Sequence, residues 1–93
     1  MRDFQNKTYW IVGASEGLGR ALAIQLAQLG AKVIISARNE ERLIELSEEI
    51  GSNSLVLPMD VTKESSVRSA HRKLPGTLDG FIYVSGVYWH MSA

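Results

Sequence analysis

At 93 residues, with 45% hydrophobic and 22% charged side chains, the chain has the size and composition of one small globular domain, which disfavours disorder and leaves no room for a separate substrate domain. Ten Lys and Arg balance ten Asp and Glu, so no excess charge steers it toward nucleic acid or an anionic membrane. There are no cysteines, which excludes disulfides, thiolate metal sites and cysteine nucleophiles. The apolar runs are too short to cross a bilayer, and residues 1–7 carry no apolar signal-peptide core. The expectation is a soluble, cytoplasmic, single domain over residues 1–93.

Residues 8–12 (TYWIV) are apolar and stop at Gly13, the pattern of a buried strand. Residues 17–29 follow with Leu18, Ala21, Leu22, Gln25, Leu26 and Leu29 at helical spacing, and Gly30 closes them. Residues 32–36 (KVIIS) form a second strand. Asn39 is placed to cap the next helix, Glu40 and Glu41 suit its positive end, Leu43, Leu46 and Ile50 mark its buried stripe, and Gly51 ends it. Residues 54–57 predict a third strand, closed by Pro58. Thr62 predicts the cap of a third helix with Val67, Ala70 and Leu74 inward, stopped at Pro75-Gly76. Residues 78–84 predict a fourth strand, and the tail beyond it is too short for a full helix.

The sum is β-α-β-α-β-α-β. Helical crossovers between short strands force a parallel sheet, and right-handed crossovers restrict its order. Strands of continuous rather than alternating apolar character fit a sheet covered on both faces. The expected architecture is a Rossmann-like three-layer α/β/α fold with a four-stranded parallel sheet in order 3-2-1-4. A ligand crevice belongs at the carboxyl ends of strands 1 and 4.

The first strand-to-helix turn reads Gly13-Ala14-Ser15-Glu16-Gly17-Leu18-Gly19, a G-x-x-x-G-x-G spacing. One glycine turns the chain, one lets backbone approach a pyrophosphate, and one lets helix and strand pack closely. Amides at the helix start then face phosphate charge, with Ser15 able to donate as well. A tight turn needs glycine with or without a ligand, so a purely structural turn is the alternative. No His, Asp and Glu cluster has metal-ligand spacing.

With Val12 before it and Arg20 after it, this run resembles the nucleotide-binding turn of the short-chain dehydrogenase/reductase family in all three glycines; Val12 replaces the family's usual threonine. The resemblance implies NAD(P) binding by Gly13, Ser15, Glu16, Gly17, Leu18 and Gly19. Family members that use NAD carry an acid where this chain has Ala37. Ser36 and Arg38 flank that position, and an arginine fork suits a 2′-phosphate, so the resemblance implies NADP(H) in preference to NAD(H). The alternative for Arg38 is a solvated loop position. Glu16 stands where some NADP users carry a basic residue.

Asp60-Val61 resembles the family's adenine-holding pair, although Asp60 equally suits the cap of the helix that follows. Tyr83-Val84-Ser85-Gly86 aligns with the family's Asn-Asn-Ala-Gly and keeps only the glycine, which implies backbone approach to the ribose at Ser85 and Gly86. The family's catalytic tyrosine is followed four residues later by lysine. Here Tyr9 is followed at that spacing by Gly13, Tyr83 by Val87 and Tyr88 by Ser92.

The resemblance covers nearly the whole chain but only the first third to half of a family member, so a truncated half of a doubly wound fold is expected. The implied function is the NADP(H)-binding portion of an oxidoreductase that is inactive alone; a non-catalytic nucleotide-binding or assembly module is the alternative. Such a fold would leave the strand containing Phe81, Ile82, Tyr83 and Val84 with a bare edge, ready for self-association.

Overall fold

The computed structural model describes residues 4–15, 17–76, 78–85 and 88–92, the side chains of 85 and 88–92 excepted. Four parallel strands stand in the predicted order: β1 (Thr8–Val12), β2 (Lys32–Ser36), β3 (Ser54–Val56) and β4 (Gly80–Ser85). Three helices cross between them: α1 (Gly17–Gln28), α2 (Glu40–Ile50) and α3 (Glu64–Arg72). The β1 and β2 boundaries coincide with the apolar runs in the sequence. Tyr9 pairs with Val33 on one side and with Gly80 on the other, so β1 is the centre of the sheet.

Two apolar layers cover the sheet. Ile11, Val33, Ile35 and Ile82 face α1 and α2, where Ala23, Leu43 and Leu46 meet them. Trp10, Val12, Ile34, Leu57 and Met59 face the other way, against Ala70 of α3. Successive strand residues point to opposite faces, so a two-sided core requires the unbroken apolar runs seen in the sequence. Val67 and Leu74 pack on the second layer as predicted, although α3 ends at Arg72.

At the amino-terminal edge of the sheet, Thr8 N donates to Asp79 Oδ2 at 2.8 Å and Asp79 N donates to Thr8 O at 2.7 Å. This reciprocal pair joins strands 71 residues apart in sequence. Asp79→Ala is expected to lower unfolding free energy by about 1–2 kcal/mol in urea titrations, while Asp79→Asn, which keeps an acceptor oxygen, retains most of it.

Three features differ from the sequence expectations. The inward face of α1 carries Gly19 and Ala23, with Leu22, Leu26 and Ala27 partly buried, whereas Leu18, Ala21, Gln25 and Leu29 are exposed. The helix lies so close to the β1 turn that only small residues fit beneath its first turns. The N-cap position of α3 falls at Lys63, which makes no side-chain cap bond, rather than at Thr62, whose amide and hydroxyl both donate to Asp60 Oδ1, at 2.9 and 2.6 Å.

The third difference is a fifth strand. β5 (Tyr88–Ser92) runs antiparallel to β4, with Phe81 opposite Ser92 and Ser85 opposite Tyr88. The two-residue link leaves no length for a crossover, so the chain folds straight back. The β4 edge expected to be bare is therefore occupied by the chain's own β5, and self-association through that edge loses its basis.

Candidate nucleotide cleft

The carboxyl ends of β1, β2 and β4 and the segment after β3 open on one cleft of about 950 Å³. Its construction begins at the β1 turn. Gly13 N and Ala14 N both donate to Ser36 O, at 2.7 and 3.2 Å, which ties the end of β1 to the end of β2. Gly13 has φ +90°, and a Cβ there would lie 2.3 Å from Val84 O; a Cβ on Gly19 would lie 2.2 Å from Gly13 O. The turn is thus held between the first turn of α1 and the end of β4, with no space for a side chain on either side.

Gly17 differs from both. It has φ +62°, and a Cβ there would meet nothing within 4 Å. It lines the cleft, so its lack of a side chain leaves room for a ligand next to backbone at the start of α1. This is the arrangement that a pyrophosphate requires.

Of the residues singled out from the sequence, Gly13, Ser15, Gly17, Leu18, Arg38 and Val61 line this cleft together. Gly19 lies beneath the turn, as its packing on Gly13 O requires. Glu16 and Gly86 lie outside the described residues, as does the side chain of Ser85. Leu18 and Val61 are 46% and 47% exposed. The fold itself covers neither, which leaves apolar surface open at the cleft.

Ser36 does not reach the cleft. It is fully buried, and its Oγ accepts from Trp10 Nε1 at 2.8 Å. Its role is internal: the carbonyl holds the β1 turn and the hydroxyl satisfies a buried indole. Period-two alternation places Ser36 and Ile34 on the same face of β2, the face that packs against α3, which is the signal that separates it from the cleft residues.

Asp60 sits between two residues of the cleft wall, Met59 and Val61, without lining the cleft itself. Met59 is brought there because Met59 N donates to Ala37 O at 3.0 Å, extending the β2–β3 pairing past Val56. The Thr62 hydroxyl, then the Thr62 amide, hold the Asp60 carboxyl below the usual carboxylate range; Arg38 and Lys63 act in the same direction. Asp60 N in turn donates to Ser66 Oγ at 2.9 Å. Asp60 thus organises the approach to α3 from beside the cleft.

The sequence reading missed Asn39, Arg42, Met59 and Tyr83 as cleft residues. Asn39 does what its cap pattern predicted, its side chain accepting from Arg42 N at 3.1 Å. Arg42 lies in the first turn of α2, and the packing of that helix brings it to the cleft. Tyr83 occupies the first position aligned with the family's Asn-Asn-Ala-Gly, so an aromatic ring forms part of the wall there. Among the described residues no group of His, Asp and Glu is arranged to hold a metal ion, and no helix is long and apolar enough to cross a membrane.

Comparisons with known proteins agree with this architecture. A relative described as NADPH-dependent pterin aldehyde reductase, from Arabidopsis thaliana, is 49% identical over 63 residues, covering 66% of this chain and 26% of that protein. The crystal structure of 3-ketoacyl-(acyl-carrier-protein) reductase from Brucella melitensis, complexed with NADH, is 33% identical with a TM-score of 0.71, covering 74% of this chain and 28% of the other. A short-chain type dehydrogenase/reductase from Mycobacterium ulcerans is 30% identical with a TM-score of 0.83, covering 91% and 34%. The chain spans about a quarter to a third of the length of these proteins. The family model described as short chain dehydrogenase matches residues 7–93. With its sheet order, its glycine turn and this match in agreement, the chain belongs to the short-chain dehydrogenase family.

Proposed function

We propose that the cleft binds NADP(H) and that the chain is the cofactor-binding portion of a short-chain oxidoreductase. The observation that carries this reading is the meeting of the Gly13–Gly17 turn and Arg38 in one cleft, with Ala37 in the wall where an acid would serve NAD. The pyrophosphate lies over Gly17, whose missing side chain leaves the space for it. Leu18 and Val61 shelter the adenine from water, and the Arg38 guanidinium pairs with the 2′-phosphate. Relatives that name NADPH and NADH both occur, so family membership supports a dinucleotide, and the residues after β2 support the choice between the two.

Bound there, the cofactor supplies hydride-transfer chemistry. No tyrosine of this chain has a lysine four residues later, which supports binding without turnover by the chain alone. The same observation favours a second reading for the isolated chain, a nucleotide-binding module whose catalytic residues, if any, come from elsewhere.

A parallel fluorescence titration with NADPH and NADH at one salt concentration tests the proposal. Saturable NADPH binding is expected, tighter than NADH. Arg38→Ala should weaken NADPH by about tenfold, the effect of losing one charge-assisted contact at an exposed site, with NADH changed less than about twofold. Absence of binding to either dinucleotide, or equal affinities, would overturn the cofactor assignment. Carbonyl-dependent NADPH oxidation by the pure chain would overturn the inactive reading.

A further inference from the structure

Positive and negative charges balance over the whole chain, yet the two outer layers of the fold carry opposite signs. Helices α1 and α2 cover one side of the sheet and α3 covers the other. On the first side, Ile44 of α2 is 44% exposed. Glu40 and Glu48 stand four residues before and after it, so the three form one row along the outer face of the helix. Glu41 and Glu45 line the recess that also holds Arg20 and Arg42, and Glu49 pairs with Arg20 at 2.5 Å. Glu40 suits the start of the helix. Glu48 does not suit its end: it stands in the last turn, where the helix favours a cation and has none.

The opposite side presents the complement. Helix α3 ends in His71 and Arg72, with Lys73 directly after them, and all three are exposed. Arg68 lies one turn before Arg72 and pairs with Glu64 at 2.7 Å; Arg72 and Lys73 add two cations beyond that pair. The stem of an arginine or lysine is apolar and only its head is charged. The Arg68–Arg72 row therefore offers what the Glu40–Ile44–Glu48 row can use, aliphatic surface with cations at its margin.

We infer that the α2 face of one copy docks on the α3 face of the next, with Ile44 against the stems of Arg68 and Arg72, and with Glu40 and Glu48 beside the cationic heads. The partner is a second copy because the complement of each face stands on the same molecule. Glu48 opposes its own helix because its counter-charge comes from the neighbour. The two faces lie on opposite sides of the sheet, so the contact is head-to-tail and each copy keeps one free face of each sign. A contact of this kind extends from copy to copy instead of closing at two. It does not depend on what the cleft binds.

Sedimentation velocity on the 93-residue chain tests this, at concentrations up to about 1 mM because a contact of a few surface side chains lies at the weak end of association. At about 10 mM salt the average mass is expected to rise with concentration past twice that of the monomer, and at about 1 M salt, where charges are screened within about 3 Å, the monomer remains. Glu48→Lys and Arg72→Glu should each weaken association by about tenfold. Lysine suits the end of α2, so a loss in Glu48→Lys is not a loss of folding, which circular dichroism checks. Mixing the two variants should restore pairing, since one keeps its α3 face intact and the other its α2 face. A monomer at every concentration, a mass that stops at twice the monomer, association that survives high salt, or a mixture that does not pair overturns the inference. If the chain stays monomeric but binds a lysine-rich peptide, the acidic face serves another partner and the inference also falls.

Discussion

Gly13→Ala is expected to abolish cooperative unfolding at room temperature, seen as loss of the sigmoidal transition in circular dichroism. The new Cβ would lie 2.3 Å from Val84 O, and the residue has φ +90°. Neither problem can be relieved by moving the turn. Gly13 N is tied to Ser36 O, and Gly13 O is itself 2.2 Å from where a Cβ on Gly19 would stand. Domains are stable by about 5–15 kcal/mol, and one this small sits at the low end of that range. A backbone collision of this kind, together with left-handed strain, costs about 4 kcal/mol or more. Gly51→Ala is the internal control. Its φ is +97° and ψ −151°, but nothing lies within 4 Å of its Cβ position, so it should lose only the backbone strain, about 1–3 kcal/mol.

The second large effect concerns Ser36. Ser36→Ala leaves the Trp10 indole N–H without its acceptor on the buried face of the sheet. The expected cost is about 2 kcal/mol in denaturant titrations. In a Trp10→Phe background there is no indole N–H to strand, and the same Ser36→Ala change should cost less than about 1 kcal/mol. The difference between the two backgrounds is the coupling energy of the pair. Because the Ser36 side chain faces away from the cleft, Ser36→Ala should leave the ratio of NADPH to NADH affinity unchanged. A shift in that ratio would restore Ser36 to the ligand-binding set.

Most of the fold was legible in the sequence because its central strands leave little ambiguity. YWIV and VII are too apolar for an edge and too short for a helix, and glycine or polar residues bound both. Asn39 at the start of α2 and Gly51 at its end were legible for the same reason: capping is local chemistry, readable from neighbouring residues. The face of α1 was not. Leucine spacing pointed to Leu18 and Leu29 as core, but the orientation of the helix is set by how closely Gly19 approaches Gly13. That contact belongs to tertiary packing and overrides the leucine pattern.

The site divides along the same line. Gly17, Leu18, Arg38 and Val61 were found from motif spacing and do meet in one cleft. Ser36 was misplaced because the motif marks its position in sequence and not its side of the strand. Arg42 and Tyr83 reach the cleft only because α2 and β4 are packed where they are. Thr62 is not the helix cap, because α3 starts one residue later than expected; its amide and hydroxyl instead donate to Asp60, two residues earlier. β5 carried no visible signal; its five residues become a strand only through pairing with β4.

The position of β1 at the centre of the sheet has a consequence for biosynthesis. Its first partner, β2, emerges from the ribosome within about two dozen residues, a count that runs from Thr8 to Lys32. Its second partner, β4, begins only at Gly80, about 70 residues after Thr8. During that interval the nascent chain holds a β1–α1–β2 unit whose central strand offers an open row of amides and carbonyls beside Trp10 and Ile11. Long-range parallel pairing closes slowly, and an open strand edge is where nascent chains associate wrongly. The Thr8–Asp79 bond pair is the first contact able to align β4 on that edge, so its loss should raise the aggregated fraction during synthesis beyond what the stability change of the finished fold would produce.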